Sequence, residues 1–310
     1  MTFKANWQPP DRLGGLRRFA IAITVFNILG HTVFGFEQPW ATPFVSVGTA
    51  YFFEIVFELL DCYIHGHKPR FAGGWRSLID FLLSAHITGM AVAMLLYANA
   101  RFMPVVFAGA VAISSKMLFR VTVEGRARHF LNPSNFGIAT TLLLFPSVGI
   151  AAPYHFTENL SPAASWIVPA IIVVSGSFLN IRFTKRIFVA VGWVTAFFVQ
   201  AVVRHYVFGH SLSGALLPLT GVTLVLFTFY MVTDPATTPL MPRAQFVFGA
   251  SVALVYGLLV SLHVVFGFFF ALATVSLVRG VTLYAQNYVK ATADQRVAAQ
   301  GALVVAREKA

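Results

Sequence analysis

Charge is scarce in this chain. Only 11% of its 310 residues are charged against 57% hydrophobic, whereas a water-soluble domain carries about a quarter charged residues. That shortage excludes a soluble globular domain and points to a polytopic membrane protein. Cysteine is scarcer still. Cys62 stands alone, which excludes a disulfide framework, a cysteine-ligated iron–sulfur site and a haem-attachment motif. Long polar stretches are also missing, the most extended being the loop at 152–162 and the tail after 286, so no linker divides the chain. The expected organisation is one integral membrane domain over residues 1–286 and a cytoplasmic tail over 287–310. In that tail Val289, Ala293 and Val297 share a stripe, which suits either a short helix on the inner membrane face or a solvated end.

What the chain has instead is hydrophobic length. A helical span takes roughly 20 apolar residues, and ten stretches qualify: 16–35, 42–63, 77–98, 102–119, 135–151, 163–181, 187–204, 212–232, 244–262 and 264–284. The fold class expected is all-α, a polytopic bundle of about ten transmembrane helices. With both termini cytoplasmic, every Lys and Arg except Arg101 and Arg204 falls on the inner side, as the positive-inside rule requires. The net charge of +11 then reflects loops near anionic headgroups, and no nucleic-acid partner is expected. The first stretch follows Arg17 and Arg18 and has no small-residue cleavage site after it, so it reads as a retained span.

Ionisable residues inside spans cost free energy and therefore carry information. The second span reads YFFEIVFELLDCYI, with Glu54, Glu58 and Asp61 at i, i+4 and i+7 on one helix face. Asp80 and His86 lie in the third span, and Lys116 and Arg120 end the fourth. Three readings stay open: a buried ion-pair network, a proton or cation path through Glu54, Glu58, Asp61 and Asp80, or a wall against a cofactor. Haem ligation needs two imidazoles at matched depth on facing helices. Among His31, His86, His205, His210 and His263 no pair meets that need, and no metal site is expected.

Two polar motifs interrupt the oily sequence: HFLNPSNFG at 129–137 and MVTDPATTP at 231–239. A broken backbone survives in hydrocarbon only where protein or ligand lines the gap. After the basic residues Arg126, Arg128 and His129, Asn132 and Pro133 break the chain and Ser134 or Asn135 caps a new helix. That helix start aims free N–H groups toward the cytoplasmic side and suits an anionic or hydrogen-bond-rich ligand. Asn132 and Asn135 each offer a donor and an acceptor, as edge recognition of a heteroaromatic ring requires. In the second motif Thr233 and Asp234 precede Pro235, which ends regular helix. Asp234 suits a ligand ring N–H or a partner such as Arg126 or Arg128. Each motif taken alone is also an ordinary cap or turn.

A basic approach, then FLNP and a glycine in a short helix, then a distal TDP after a long apolar span, resembles the NqrB/RnfD family of flavin-carrying membrane subunits of redox pumps. The wording HFLNPSNFG is closest to the branch labelled enediyne biosynthesis protein UnbU. The resemblance covers nearly the whole chain in span number and motif placement, and is specific over 125–146 and 230–239. It implies a ten-helix bundle with cytoplasmic ends in the bacterial cytoplasmic (inner) membrane, a non-covalent flavin (riboflavin or FMN) near the FLNP turn, and redox partner subunits. The residues implied to hold that flavin are Arg126, Arg128, Asn132, Pro133, Ser134, Asn135, Thr233 and Asp234. Family members with covalent FMN attach it at a Ser-Gly-Ala-Thr threonine in the outer loop after the fifth span. Here that loop reads PSVGIAAPYHFTENLSPAASW with Thr157 as its sole threonine, so covalent FMN is not expected. No catalytic residue is assigned. Two other classes remain open: a secondary transporter or channel for an ion or hydrophobic metabolite, serving export or self-resistance, and a membrane anchor without its own cofactor.

Overall fold

The computed structural model describes residues 12–123 and 125–308. Lys4 and Lys309, and the side chains of Arg12, Arg296, Val297 and Arg307, lie outside the described part. The helices are α1 (Arg12–Leu29), α2 (Ala41–His65), α3 (Trp75–Leu95), α4 (Phe102–Leu118), α5 (Pro133–Leu144), α6 (Ile167–Arg182) and α7 (Ile187–Phe208). Next come α8 (Leu212–Leu216), α9 (Val222–Leu226), α10 (Pro242–Ser261) and α11 (Gly267–Glu308). Two antiparallel ribbons complete the described structure: β1 (Leu96–Tyr97) pairs with β4 (Gly149–Ile150), and β2 (Arg120–Val123) pairs with β3 (Arg126–His129).

Among the described residues, seven helices are long and apolar enough to cross a membrane: Leu13–Phe34, Ala41–His65, Trp75–Leu95, Ala164–Arg182, Ile187–Phe208, Pro242–Ser261 and Gly267–Ala293. The chain is an all-α, multi-pass membrane protein. Large apolar side chains such as Phe44, Phe52, Val174 and Leu258 stand exposed on the outside of the bundle, where acyl chains replace water as their neighbours. The other three stretches differ from plain spans. The fourth gives a helix of 17 residues and the fifth one of only 12. At 1.5 Å per residue α5 is about 18 Å long, well short of the roughly 30 Å hydrocarbon core. The eighth is bent by 67° between Leu212–Thr220 and Val222–Met231.

Local chemistry explains the interruptions. Asn132 and Pro133 start α5 in the polar motif, and Phe145 ends it before Pro146. β4 follows one end of α5 and the β2–β3 hairpin precedes the other. Pro218 and Gly221 break the eighth stretch, and its second half closes in a π-helical turn over Phe227–Met231. The tail is continuous with the last long helix, because α11 runs from Gly267 to Glu308 as one helix.

Close backbone approach holds the bundle together. A methyl added at Gly249 on α10 would overlap the Val189 carbonyl of α7, and one at Gly192 on α7 would overlap the Phe246 carbonyl of α10. Gly137 on α5 meets the Ala108 carbonyl of α4 in the same way. Small residues at such crossings let dispersion do what the hydrophobic effect does in water. Between these pairs Trp193, Phe197, Phe227 and Phe269 are fully buried, and the Trp193 indole N–H donates to Thr228 Oγ1 at 2.9 Å.

Candidate functional site

The two polar motifs meet. Asn132 caps α5: its Oδ1 accepts the Asn135 backbone N–H at 3.0 Å and the Ser134 hydroxyl at 2.9 Å. Its Nδ2 donates to the Met231 carbonyl at 3.0 Å. That carbonyl ends the π turn, where a helix leaves acceptors without partners. One asparagine therefore caps the first broken helix and closes the second. Asn135 turns the other way, donating to the Phe269 carbonyl of α11 at 3.0 Å, and so ties α5 to the bundle.

Between the motifs lies a cavity of about 600 Å³ walled by α1, α3, the start of α5, the end of α6 and the π turn. A volume of this size is typical of a small-molecule site. Seven of the eight residues singled out for a ligand line it: Arg126, Arg128, Asn132, Pro133, Ser134, Thr233 and Asp234. Asn135 does not. The floor is apolar, built from Ile23, Phe26, Ile87, Ala91, Met94 and Leu226. On one wall Phe19 stacks on Tyr230 with ring centroids 4.9 Å apart, and the Tyr230 hydroxyl meets Ser175 Oγ at 2.9 Å.

The mouth is polar and carries more positive than negative charge, with Arg126, Arg128 and Arg186 against Asp234. Arg126 and Arg128 are two apart on β3 and so share a face of the hairpin. Asp234 organises its own turn. Its Oδ1 accepts the Ala236 N–H at 3.0 Å, its Oδ2 accepts the Thr237 hydroxyl at 3.1 Å, and its carbonyl accepts the Thr238 hydroxyl at 2.6 Å. The Thr233 hydroxyl donates back to Phe229 O at 2.6 Å.

Arg186 is the residue the sequence reading missed. It precedes α7 in the loop after α6, is 1% exposed, and reaches into the second motif. Its Nε donates to Thr238 Oγ1 at 2.9 Å and its Nη2 to the Pro235 carbonyl at 3.3 Å. Burial pushes its pKa down to about 10, against the pull of Asp234 and with the push of Arg128 and Arg279. Several guanidinium groups thus crowd one cavity mouth, an arrangement that an anion relieves. In the sequence Arg186 sits among Arg182 and Lys185 as one more inner-loop cation; the Thr-Thr-Pro run it binds was the available signal. Asn180 was missed too. Its Nδ2 donates to the Phe229 carbonyl at 2.7 Å and satisfies a group exposed by the π turn.

The carboxylates Glu54, Glu58, Asp61 and Asp80 lie elsewhere, three of them against a Lys or Arg and Asp61 against two histidines. Glu54 accepts from Lys116 Nζ at 2.6 Å with both side chains 11% exposed. Glu58, buried, takes the Arg70 backbone N–H at 2.7 Å and its guanidinium at 2.6 and 2.8 Å. That hydrogen bond, more than the surrounding charges, raises the Arg70 pKa. Asp80 pairs with Arg17 at 2.8 Å, and Asp61 with His65 and His67. None of the four carboxylates lines the cavity. His86 bridges Thr24 and Tyr51 at 2.7 and 2.8 Å. Of these pairs Glu54–Lys116 joins α2 to α4 and Arg17–Asp80 joins α1 to α3.

No protein-family model matches this chain, and no curated protein matches it.

Proposed function

We propose that this protein is a membrane electron-transfer subunit that binds a non-covalent flavin in the cavity between the two polar motifs and works with redox partner proteins. The observation that carries the reading is the cavity itself: an apolar floor and aromatic wall below, an arginine-rich mouth above. That gradient fits a flat heteroaromatic ring joined to an anionic group, and the surplus of arginine favours FMN over uncharged riboflavin. When bound, the flavin supplies one- and two-electron chemistry. The chain supplies the setting: Arg126, Arg128 and Arg186 neutralise the phosphate, Asn132 and Asp234 hold the two turns in register, and the apolar floor keeps water out. The same reading takes ten crossings, the short and bent ones included, with both termini and the cavity mouth on the cytoplasmic side of a bacterial inner membrane.

A second reading rests on the 67° break and the shortened α5. Discontinuous helices beside a midplane cavity also describe secondary transporters, and an amphipathic anion would fit the same walls. One measurement separates the two. An absorption spectrum of protein purified in detergent is expected to show oxidised flavin that acid releases intact, with nothing left on the denatured chain. Arg128→Gln is expected to lower retention roughly 10-fold, the worth of one charge-assisted hydrogen bond. A colourless protein that takes up no added FMN, yet moves an amphipathic anion across proteoliposomes, would establish the transporter instead.

A further inference from the structure

One titratable cluster takes no part in the cavity. Helix α2 ends in Asp61-Cys62-Tyr63-Ile64-His65-Gly66-His67. Asp61 and His65 are one turn apart on the same face. Gly66 then adopts φ +68° and donates its N–H to the Cys62 carbonyl at 2.9 Å, a left-handed cap that favours glycine. The turn folds His67 back over Asp61. As a result His65 Nδ1 lies 3.3 Å from Asp61 Oδ1, and His67 Nε2 lies 3.1 Å from Asp61 Oδ2. His65 Nδ1 also lies 3.0 Å from the Asp61 carbonyl, a hydrogen bond that this nitrogen gives up if it binds a metal. One donor atom from each of the three residues falls within 4.8 Å of the others.

We propose that Asp61, His65 and His67 form a site for a divalent transition metal of the zinc class, with water completing the coordination. Bonds of about 2.0–2.2 Å in a tetrahedral centre set ligand atoms roughly 3.3 Å apart, and each imidazole already lies at about that distance from one of the two Asp61 oxygens, His65 from Oδ1 and His67 from Oδ2. Both imidazoles are exposed, so rotation brings them onto one ion. Two nitrogens and one carboxylate suit zinc, cobalt, nickel or copper rather than magnesium or calcium, which take oxygen ligands. The hydrogen bonding around His67 points the same way. Its Nδ1 lies 3.3 Å from the Lys68 carbonyl, so an N–H there leaves the Nε2 lone pair facing the Asp61 carboxylate, and a cation between them removes that repulsion. Cys62 Sγ, 3.3 Å from the same Nδ1, offers the competing arrangement. If the thiol donates to Nδ1, Nε2–H donates to Asp61 and no metal is needed. A bound metal would pin the segment from Gly66 to Gly74 to the end of α2, where Arg70 already fastens it to Glu58.

The full chain, purified without a polyhistidine tag and stripped with chelator, tests the site with cobalt(II) as probe. The expected result is one cobalt per chain with the intense visible bands of tetrahedral coordination, displaced by zinc. His67→Gln and Asp61→Asn are each expected to weaken binding at least roughly 10-fold, while His205→Gln leaves it unchanged. In the parent chain, saturating zinc is expected to raise the melting temperature and chelator to reverse the shift. Only the weak spectrum of hydrated cobalt, equal affinity in His67→Gln and Asp61→Asn, or no thermal shift would mean a hydrogen-bonded cluster without metal and would overturn the proposal.

Discussion

Glu54 and Lys116 meet at 2.6 Å with both side chains 11% exposed. Breaking such a pair leaves a buried charge without compensation, which costs about 3–5 kcal/mol, whereas replacing both partners with apolar groups is often neutral. Glu54→Gln is therefore expected to lower thermal stability sharply, and the added change Lys116→Met to restore it. If Glu54→Gln keeps full stability but abolishes a proton- or cation-coupled activity, the stripe conducts rather than packs. His155 sets a different test. It is 2% exposed, stacked on Phe36 with ring centroids 4.0 Å apart, and its Nε2 has no hydrogen-bond partner among the described residues. Burial, with a smaller push from His31, drives its pKa down to about 4, against about 6.5 when unfolded. Here the unfolded state takes up the proton first. Stability is complete above pH about 6.5 and falls as pH drops toward about 4, by about 3 kcal/mol at most. Melting curves across that window are expected to show the loss, and His155→Phe to flatten it.

The helices illustrate how one substitution takes opposite signs in one fold. Gly249 and Gly192 stand where α10 and α7 touch backbone to backbone, so Gly249→Ala must spread the pair and is expected to cost about 1–3 kcal/mol of stability. Gly48 on α2 has nothing within 4 Å of an added methyl. Gly48→Ala is expected to be neutral or slightly stabilising, since alanine costs less helix entropy. Thermal unfolding of the two variants side by side checks the contrast; equal effects would mean that the α7–α10 crossing relaxes freely. Elements were also where the sequence was most legible. Apolar runs of adequate length marked the long helices, and Asn132-Pro133 and Asp234-Pro235 marked two ends of helix, because proline and capping chemistry act locally; the 67° bend at Pro218 and Gly221 inside the eighth stretch went unread. What stayed hidden depends on distant partners. Nothing near Asn135 in sequence says that its amide reaches Phe269 on α11, and nothing near Arg186 says that Thr238 and Pro235 will bury it. Lys116 was in view as a basic helix end that could face the acidic stripe, but which carboxylate it meets depends on the crossing of α2 and α4.

At the scale of the whole molecule, two independent patterns divide the chain in the same way. The charge pattern assigns the N-terminal approach to α1 and the segments after α4, α6 and the π turn to one side. Those segments, with Gly15 and Leu16 in the first turns of α1, supply Arg126 to His129, Asn132, Phe183, Thr184, Arg186, Thr233 to Ala236 and Leu240 around one cavity. At the opposite end other turns meet: β1 pairs with β4, Arg101 donates to Ser147 at 2.9 Å, and Asn159 takes its place beside Phe34 and Gly35. Labelling with a membrane-impermeant maleimide in right-side-out vesicles measures which end faces the cytoplasm. Cys62 is the sole native thiol and is buried, so Cys62→Ser gives a clean background. On it Arg101→Cys is expected to label from outside, while Lys68→Cys and Arg126→Cys react only after the membrane is permeabilised. All three positions are exposed, so lack of access alone cannot silence them. Labelling of Arg126→Cys from outside would put the arginine-rich mouth on the far side of the membrane from cytoplasmic electron donors, and the electron-transfer reading would fail with it. Labelling of Lys68→Cys but not Arg126→Cys would instead mean that α4, the short helix between them, does not cross, which would change the count of crossings and leave the cavity where it is.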